Sequence, residues 1–128
     1  MAARPTTKKA VTVELTVTQP AGSAVSIVSV DGEIDVHSAP QLRDRVTAQL
    51  ASAPGAVVVD LTRVGFLDST GLGALVSART AALDRGAALP IVCTSPRILK
   101  LFTITGLDGV FDLHDSVANA VASVGPAG

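Results

Sequence analysis

Apolar and polar residues alternate along the first part of the chain, and this alternation predicts two strands. In residues 11–18 the odd positions are apolar and the even positions are polar, which is the period of a strand with one buried face. Residues 19–23 include a proline and a glycine and predict a turn. Residues 25–30 predict a second strand, and the short connection favours an antiparallel pair. Asp31-Gly32 is then compatible with a turn, a β-bulge or the strand end.

The pattern changes after Asp35, where apolar residues recur at helical spacing. Ser38 followed by Gln41 is a capping-box pattern, and an apolar stripe continues through residues 42–50 until the helix ends before Pro54. A second helix is predicted from Asp68 to Gly86, with Gly86 as its C-terminal cap. Two further helices are predicted, one from Ser95-Pro96 to a stop at Gly106 and one capped by Ser116.

Three more strands are predicted between these helices. Residues 56–61 form an unbroken apolar run, which is typical of a central parallel strand covered on both faces. Residues 88–94 predict a short strand in which Pro90 favours an edge or strand-start position, and residues 110–113 predict a last one. The order of elements predicts an α/β fold with a mixed β-sheet, an N-terminal antiparallel hairpin, parallel inner strands and about four helices. We expect a single domain over residues 11–124, with flexible tails at 1–10 and 125–128.

Charge and composition exclude several classes of function. The chain has ten Lys and Arg residues and eleven Asp and Glu residues, and three of the basic residues lie in the first ten positions. The rest of the protein, which we call its body, is therefore acidic. An acidic body with three aromatic residues argues against nucleic-acid binding, which needs a basic surface and stacking platforms. Cys93 is the only cysteine, and no secretory signal or membrane span is recognisable. We therefore expect a cytoplasmic protein that does not associate with membranes.

The segment after the central apolar run, residues 68–73, carries the candidate chemistry. Its sequence is Asp-Ser-Thr-Gly-Leu-Gly, and Asp68 or Ser69 can cap the following helix. Two glycines in the first turns of a helix each cost about 0.8 to 1 kcal/mol relative to alanine. Gly71 and Gly73 are explained either by a need to expose the Ser69 hydroxyl or by close packing of the helix on the sheet.

These residues, taken with others, resemble a known family. Residues 68–73, preceded by Val58-Val59-Asp60-Leu61 and by Gly32-Glu33-Ile34-Asp35, are similar to the STAS domain of bacterial anti-sigma factor antagonists. Ser95-Pro96, Thr105-Gly106-Leu107 and Val110-Phe111 also agree with that family. The resemblance implies that Ser69 is phosphorylated by an anti-sigma factor that is an ATP-dependent serine kinase. It implies a switch controlling sigma-factor-dependent transcription: the unphosphorylated protein binds this kinase, the phosphorylated protein releases it, and a serine phosphatase resets it.

Several assignments stay open at this stage. The resemblance implies a partner-binding surface made of Asp35, Asp68, Ser69, Thr70, Gly71 and Gly73. Thr70 offers a second hydroxyl, and Asp35 either fixes the loop before the first helix or lies near Ser69 and helps to present it. No phosphate-binding loop of the Walker type is present, so ATP is expected on the partner, and we expect no cofactor or metal site.

Two other classes of function remain as alternatives. The first is a STAS module that senses a ligand or acts as a scaffold in a larger signalling or transport complex. The second is an enzyme acting through Ser69, which is disfavoured because the Gly-x-Ser-x-Gly elbow of serine hydrolases is missing. We therefore expect a regulatory binding protein rather than an enzyme.

Overall fold

A computed structural model describes residues 13–20, 23–52 and 55–124. The tails predicted at 1–10 and 125–128, the first two residues of the first predicted strand, and Gly22 and Pro54 lie outside the described residues. Along the chain the elements are β1 (Val13–Thr18), β2 (Val25–Ile34), α1 (Ala39–Ala51), β3 (Ala56–Leu67), α2 (Ser69–Asp84), β4 (Ile91–Val92), α3 (Pro96–Ile104), β5 (Leu113–His114) and α4 (Val117–Val124). A short 3-10 turn, Leu107–Gly109, follows α3.

The described strands form one mixed sheet in the order β1-β2-β3-β4-β5. β1 and β2 are antiparallel, and each later pair is parallel. This confirms the predicted α/β fold, the N-terminal hairpin and the central position of the apolar run in β3. Since β2 and β3 are parallel, their carboxyl ends meet at one edge of the sheet, where Ile34 is in register with Leu67.

Helices cover both faces of the sheet, but unequally. Alternate residues of β3 enter two separate cores: Val57 and Val59 pack with α1, α2 and α3, whereas Ala56 and Val58 pack with Ala120 of α4. This is the two-sided burial that the apolar run predicts. Because the second core is small, the second face also carries a polar surface that none of the described residues covers, called here the uncovered polar surface; it is lined by Glu14, Thr16, Ser29, Val30, Asp31, Asp60, Thr62 and Arg63.

Several predicted strand boundaries were wrong. β2 continues through Asp31-Gly32 to Ile34, with register shifts on both sides of this pair and Gly32 at a φ of 124°, so the bulge interpretation is correct and the turn is not. β3 continues to Leu67 instead of ending at 61. The polar residues at these points do not end the strands because they face the uncovered polar surface, where the Arg63 Nε lies 3.2 Å from Asp31 Oδ2.

The two later strands are also shorter than predicted. β4 is limited to Ile91–Val92 and lies between β3 and β5, so Pro90 precedes the strand and does not mark an edge. The Pro90 carbonyl still accepts a hydrogen bond of 2.9 Å from the amide of Val59. β5 begins at Leu113, not at 110. Within the described residues, no helix has the length and apolar character needed to cross a bilayer.

Candidate functional site

The junction between β3 and α2 is built on the carboxylate of Asp68. Asp68 has an extended backbone, and its Oδ1 accepts hydrogen bonds from the amides of Thr70 at 3.0 Å and Gly71 at 3.1 Å. Two of the amides that the first turn leaves without an intrahelical acceptor are thereby satisfied. Asp68 is therefore the N-cap of α2, which was one of the two residues, Asp68 and Ser69, that the sequence offered for this role. Its own amide donates to the Ile34 carbonyl at 3.3 Å, which ties the junction to the end of β2.

The two adjacent hydroxyl groups at this junction have different environments. Thr70 Oγ1 donates to Asp68 Oδ1 in a short hydrogen bond, so its proton is already engaged. Ser69 is the first residue of α2 and its side chain is exposed. Within residues 13–20, 23–52 and 55–124, its hydroxyl makes no hydrogen bond. Of the two, Ser69 carries the hydroxyl that another protein can reach without breaking an existing contact.

The junction between β2 and α1 lies beside the first one and is organised by Asp35 and Ser38. Asp35 Oδ1 accepts hydrogen bonds from the amides of His37 at 2.9 Å and Ser38 at 3.1 Å. The hydrogen bond from the His37 amide is the main cause that lowers the pKa of the Asp35 carboxyl below its ordinary value, with partial burial acting in the opposite direction. Asp35 therefore fixes this loop, which is the first of the two roles that the sequence left open for it.

Ser38 does not form the predicted capping box with Gln41. Its hydroxyl makes no capping hydrogen bond to α1. It donates to the Glu33 carbonyl at 2.8 Å and accepts from the Asp35 amide at 3.0 Å, and the residue is fully buried. A helical backbone at Ser38 (φ −99°, ψ −17°) replaces the extended conformation usual for an N-cap. The hydroxyl therefore closes the loop from β2 instead of capping the helix.

The two glycines of α2 have different roles. A Cβ at Gly71 would lie 2.9 Å from Ile34 Cγ2 and closer still to Leu67 Cδ1, and both of these side chains are buried. Gly71 is therefore required by close packing of α2 on the ends of β2 and β3, so the packing explanation is the correct one here. A Cβ at Gly73 would meet no atom within 4 Å. Gly73 is exposed and leaves open space beside the helix.

This open space is part of a groove of about 310 Å³ between the first turns of α1 and α2. It is lined by Val36, Ala39, Pro40, Arg43, Thr70, Gly73, Ala74 and Ser77. Val36 is 59% exposed, and Phe66, the second-last residue of β3, is 40% exposed outside the groove lining. Exposed apolar side chains beside a polar rim are typical of a protein-binding surface. Ser69 does not line the groove but directly precedes Thr70, which does.

Sequence reasoning missed Val36 and Arg43 as groove residues. Val36 was recognisable as an apolar residue between the polar Asp35 and His37 in a loop. Arg43 had no such signal, because a charged residue on a helix is usually solvated. Among the described residues, no group of three or more His, Cys, Asp or Glu side chains is arranged to hold a metal ion.

Comparisons with known proteins agree with this architecture. The family model of the STAS domain matches residues 12–120. An anti-sigma-B factor antagonist of Bacillus subtilis is 38% identical over 86 residues, which cover 67% of this chain and 78% of that protein. The crystal structure of an anti-sigma factor antagonist from Mycobacterium paratuberculosis has 34% identity and a TM-score of 0.79, and the match covers 88% of this chain and 93% of that one.

A more distant structure supports the fold alone. SpoIIAA, a Bacillus cell fate determinant solved in its phosphorylated form, has 19% identity and a TM-score of 0.66 over 87% of this chain and 99% of that chain. The matches together cover nearly all of the described fold, including both junctions at the carboxyl edge of the sheet. The chain belongs to the STAS domain family, and the relatives from Bacillus subtilis and Mycobacterium paratuberculosis are anti-sigma factor antagonists.

Proposed function

We propose that this protein is an anti-sigma factor antagonist that binds an anti-sigma factor serine kinase when Ser69 is unmodified and releases it when Ser69 is phosphorylated. The observation that carries the proposal is the exposed Ser69 hydroxyl at the start of α2, next to the hydrogen-bonded N-cap Asp68 and free of hydrogen bonds to the described residues. The names of the relatives support an anti-sigma factor as the partner. While the unmodified protein holds the anti-sigma factor, the sigma factor that the anti-sigma factor would otherwise bind is free to direct transcription.

The proposed docking surface combines the two junctions with the groove. Ser69 and Thr70 would contact the partner directly, and Asp35 and Asp68 hold the loops that present them. Gly73 leaves the groove open for a partner side chain, whereas Gly71 contributes indirectly by seating α2 on the sheet. Val36, which lines the groove and is exposed, adds apolar area to this surface. Exposed apolar groups surrounded by polar ones suit a reversible interface.

In the proposed phosphorylation step, the partner supplies both the nucleotide and the base. Ser69 Oγ attacks the γ-phosphorus of ATP, the bond from that phosphorus to the β,γ-bridging oxygen breaks, and ADP leaves. The hydroxyl proton passes to a base on the partner. This division of roles is consistent with Ser69 having no hydrogen-bonded base among the described residues. A serine phosphatase would reverse the modification by transferring the phosphoryl group to water.

Charge explains why the modified protein would be released. A phosphoserine carries about −1.5 to −2 charge at pH 7. At the first position of α2 this charge is compatible with folding, since the helix dipole favours an anion there. In an interface it would lie beside the carboxylate of Asp68, and an unpaired or like charge there costs several kcal/mol. The modification therefore weakens binding without unfolding the domain.

The test is to incubate the protein with its anti-sigma factor and ATP and to measure the intact mass. We expect one added phosphate in the wild-type protein and in Thr70→Val, and none in Ser69→Ala. Phosphate on Ser69→Ala but not on Thr70→Val would assign the reaction to Thr70. An unmodified wild-type protein that also fails to bind the anti-sigma factor would overturn the proposal and favour a ligand-sensing or scaffold module.

A further inference from the structure

The groove between α1 and α2 differs in charge from the rest of the protein. Of the described residues that line it, Arg43 is the one ionisable side chain, and the others are apolar or small: Val36, Ala39, Pro40, Thr70, Gly73, Ala74 and Ser77. The groove is therefore a positive point on the acidic body of the protein. A positive point in a docking surface favours a negatively charged group on the partner.

Arg43 lies at the end of the groove that is further from Ser69. Both helices follow parallel strands, so both run away from the carboxyl edge of the sheet. Along α2 the lining extends from Thr70 to Ser77, and seven residues of helix span about 10 Å. Along α1 it extends from Ala39 to Arg43, which is one helical turn. A partner segment in the groove would therefore meet Ser69 and Arg43 with different side chains.

The guanidinium of Arg43 has hydrogen-bond donors left for a second carboxylate. Its Nε and Nη2 both lie 3.1 Å from the same atom, Oδ1 of the neighbouring Asp44. A guanidinium has five N–H donors, and within the part of the chain that the structure describes the others make no hydrogen bond. The Arg43 side chain is 46% exposed and the Asp44 side chain 70% exposed. An ion pair this exposed is weak, so the guanidinium can turn towards a partner.

Filling the groove would make a new counter-charge necessary. A partner that covers the half-exposed Arg43 removes water from its guanidinium, and a charge that loses water without gaining a partner is costly. Asp44 does not line the groove. The side chain that compensates Arg43 inside the groove must therefore come from the partner, and it must be acidic.

We propose that the groove binds a segment of the anti-sigma factor in which an acidic side chain pairs with Arg43 and an apolar side chain packs beside Val36 and Pro40. This inference rests on the proposed function, because it specifies the chemistry of the same partner. Arg43 selects the partner segment by charge, whereas the modification of Ser69 decides whether the partner stays bound.

The pairing is tested by calorimetric titration of the anti-sigma factor at low and at high salt. Arg43→Gln removes the positive charge, Arg43→Glu reverses it and Arg43→Lys keeps it. Asp44→Asn removes the carboxylate that competes for the guanidinium. Arg45→Gln is the matched control, because Arg45 is exposed on the same helix and does not line the groove. Urea denaturation of each variant shows whether the fold is retained.

Loss of a charge-assisted hydrogen bond should weaken the binding of Arg43→Gln about tenfold at low salt. The loss should be larger for Arg43→Glu and smaller for Arg43→Lys, and each should decrease at high salt. We expect Asp44→Asn to bind more tightly than the wild type, and Arg45→Gln to bind equally tightly.

Two results would overturn the pairing while leaving the proposed function intact. One is unchanged binding of Arg43→Gln by a protein that still gains its phosphate on Ser69. The other is tighter binding of Arg43→Glu, which would indicate a basic partner segment. A wild-type protein that does not bind the anti-sigma factor would overturn the proposed function and this inference with it.

Discussion

The junctions β2–α1 and β3–α2 lie side by side and contain similar residues that have different roles. Each begins with an aspartate whose Oδ1 accepts two backbone amides, and each has a serine close behind it. Ser38 is fully buried and its hydroxyl is bonded to the backbone on both sides, at Glu33 and Asp35. Ser69 is exposed and its hydroxyl is free among the described residues.

The difference between the two serines follows from which backbone amides the neighbouring aspartate carboxylate accepts hydrogen bonds from. Asp68 bonds forward into the first turn of α2, which satisfies the helix and leaves the Ser69 side chain outside the network. Asp35 bonds within the loop before α1, and Ser38 must complete that loop. A serine that follows an N-cap aspartate directly is therefore available to a partner, whereas one that lies within the loop is structural. Four pairs of substitutions would break or sharpen this comparison.

The largest expected effect is on partner binding at the exposed junction. Ser69→Glu places a negative charge beside Asp68, and a penalty of about 3 to 4 kcal/mol would weaken the complex with the anti-sigma factor several hundredfold. Ser69→Gln has nearly the same shape without the charge and is the matched control. Isothermal titration calorimetry measures both. If Ser69→Gln loses as much affinity as Ser69→Glu, size rather than charge governs release.

The buried junction should instead respond in stability. Ser38→Ala removes a hydroxyl that bonds the Glu33 carbonyl and the Asp35 amide, and leaving such groups unsatisfied costs about 1 to 3 kcal/mol. Ser69→Ala should change the free energy of unfolding by no more than about 0.5 kcal/mol, as is usual for an exposed site. Urea denaturation of the two variants measures the difference. Equal destabilisation would mean that the two serines are not in different environments.

The comparison extends to the two glycines of α2. Gly71→Ala introduces a Cβ against Ile34 and Leu67, and overpacking of this kind costs about 1 to 3 kcal/mol. Gly73→Ala meets open space and should stabilise the helix by up to about 1 kcal/mol. Because both gain the same helix propensity, the difference in their unfolding free energies isolates the packing term. A Gly71→Ala protein as stable as Gly73→Ala would contradict the packing role.

The sequence predicts most of the secondary structure of this molecule but not all of its strand ends. The periodicity found the five strands and the four helices of the described residues, and Gly86 and Gly106 were found as helix stops, each with a positive φ. The end of β3 was missed, and the end of β2 was left open between alternatives, because α4 covers only part of the second face and polar residues continue both strands on the uncovered part. A local pattern carries no information on which part of a face a distant helix covers.

The site was predictable to a similar extent. The resemblance and the spacing pointed to Asp68 and Ser69, and the N-cap role of Asp68 is confirmed by its hydrogen bonds. The capping box at Ser38 was wrong because the pattern is common to two uses of a serine, and only the loop geometry decides between them. Similarly, Gly71 and Gly73 belong to one motif but differ in role, because only Gly71 packs against the ends of β2 and β3.

The smallest expected effect is the pH dependence contributed by Asp35. Since hydrogen bonds to its carboxylate, chiefly from the His37 amide, lower its pKa in the folded state, Asp35 stabilises the fold at pH values above the ordinary Asp pKa of about 3.9. This stabilisation is lost as the pH falls through the lowered pKa of the folded state. Asp35→Asn keeps an oxygen acceptor but removes the charge, so it should be less stable than wild type at neutral pH.

The stability difference between wild type and Asp35→Asn should therefore stay constant from neutral pH down to above the ordinary Asp pKa of about 3.9, and shrink as the pH falls further through the lowered pKa of the folded state. Denaturant unfolding at several pH values measures it, and Asp108→Asn, in the turn after α3, provides the reference for removing one surface carboxylate. An NMR titration of the Asp35 carboxyl gives the direction of its pKa independently. A stability difference that grows as the pH falls would mean that the backbone amides of the loop do not favour the ionised Asp35 carboxylate. The β2–α1 junction would then have to be stabilised by other interactions.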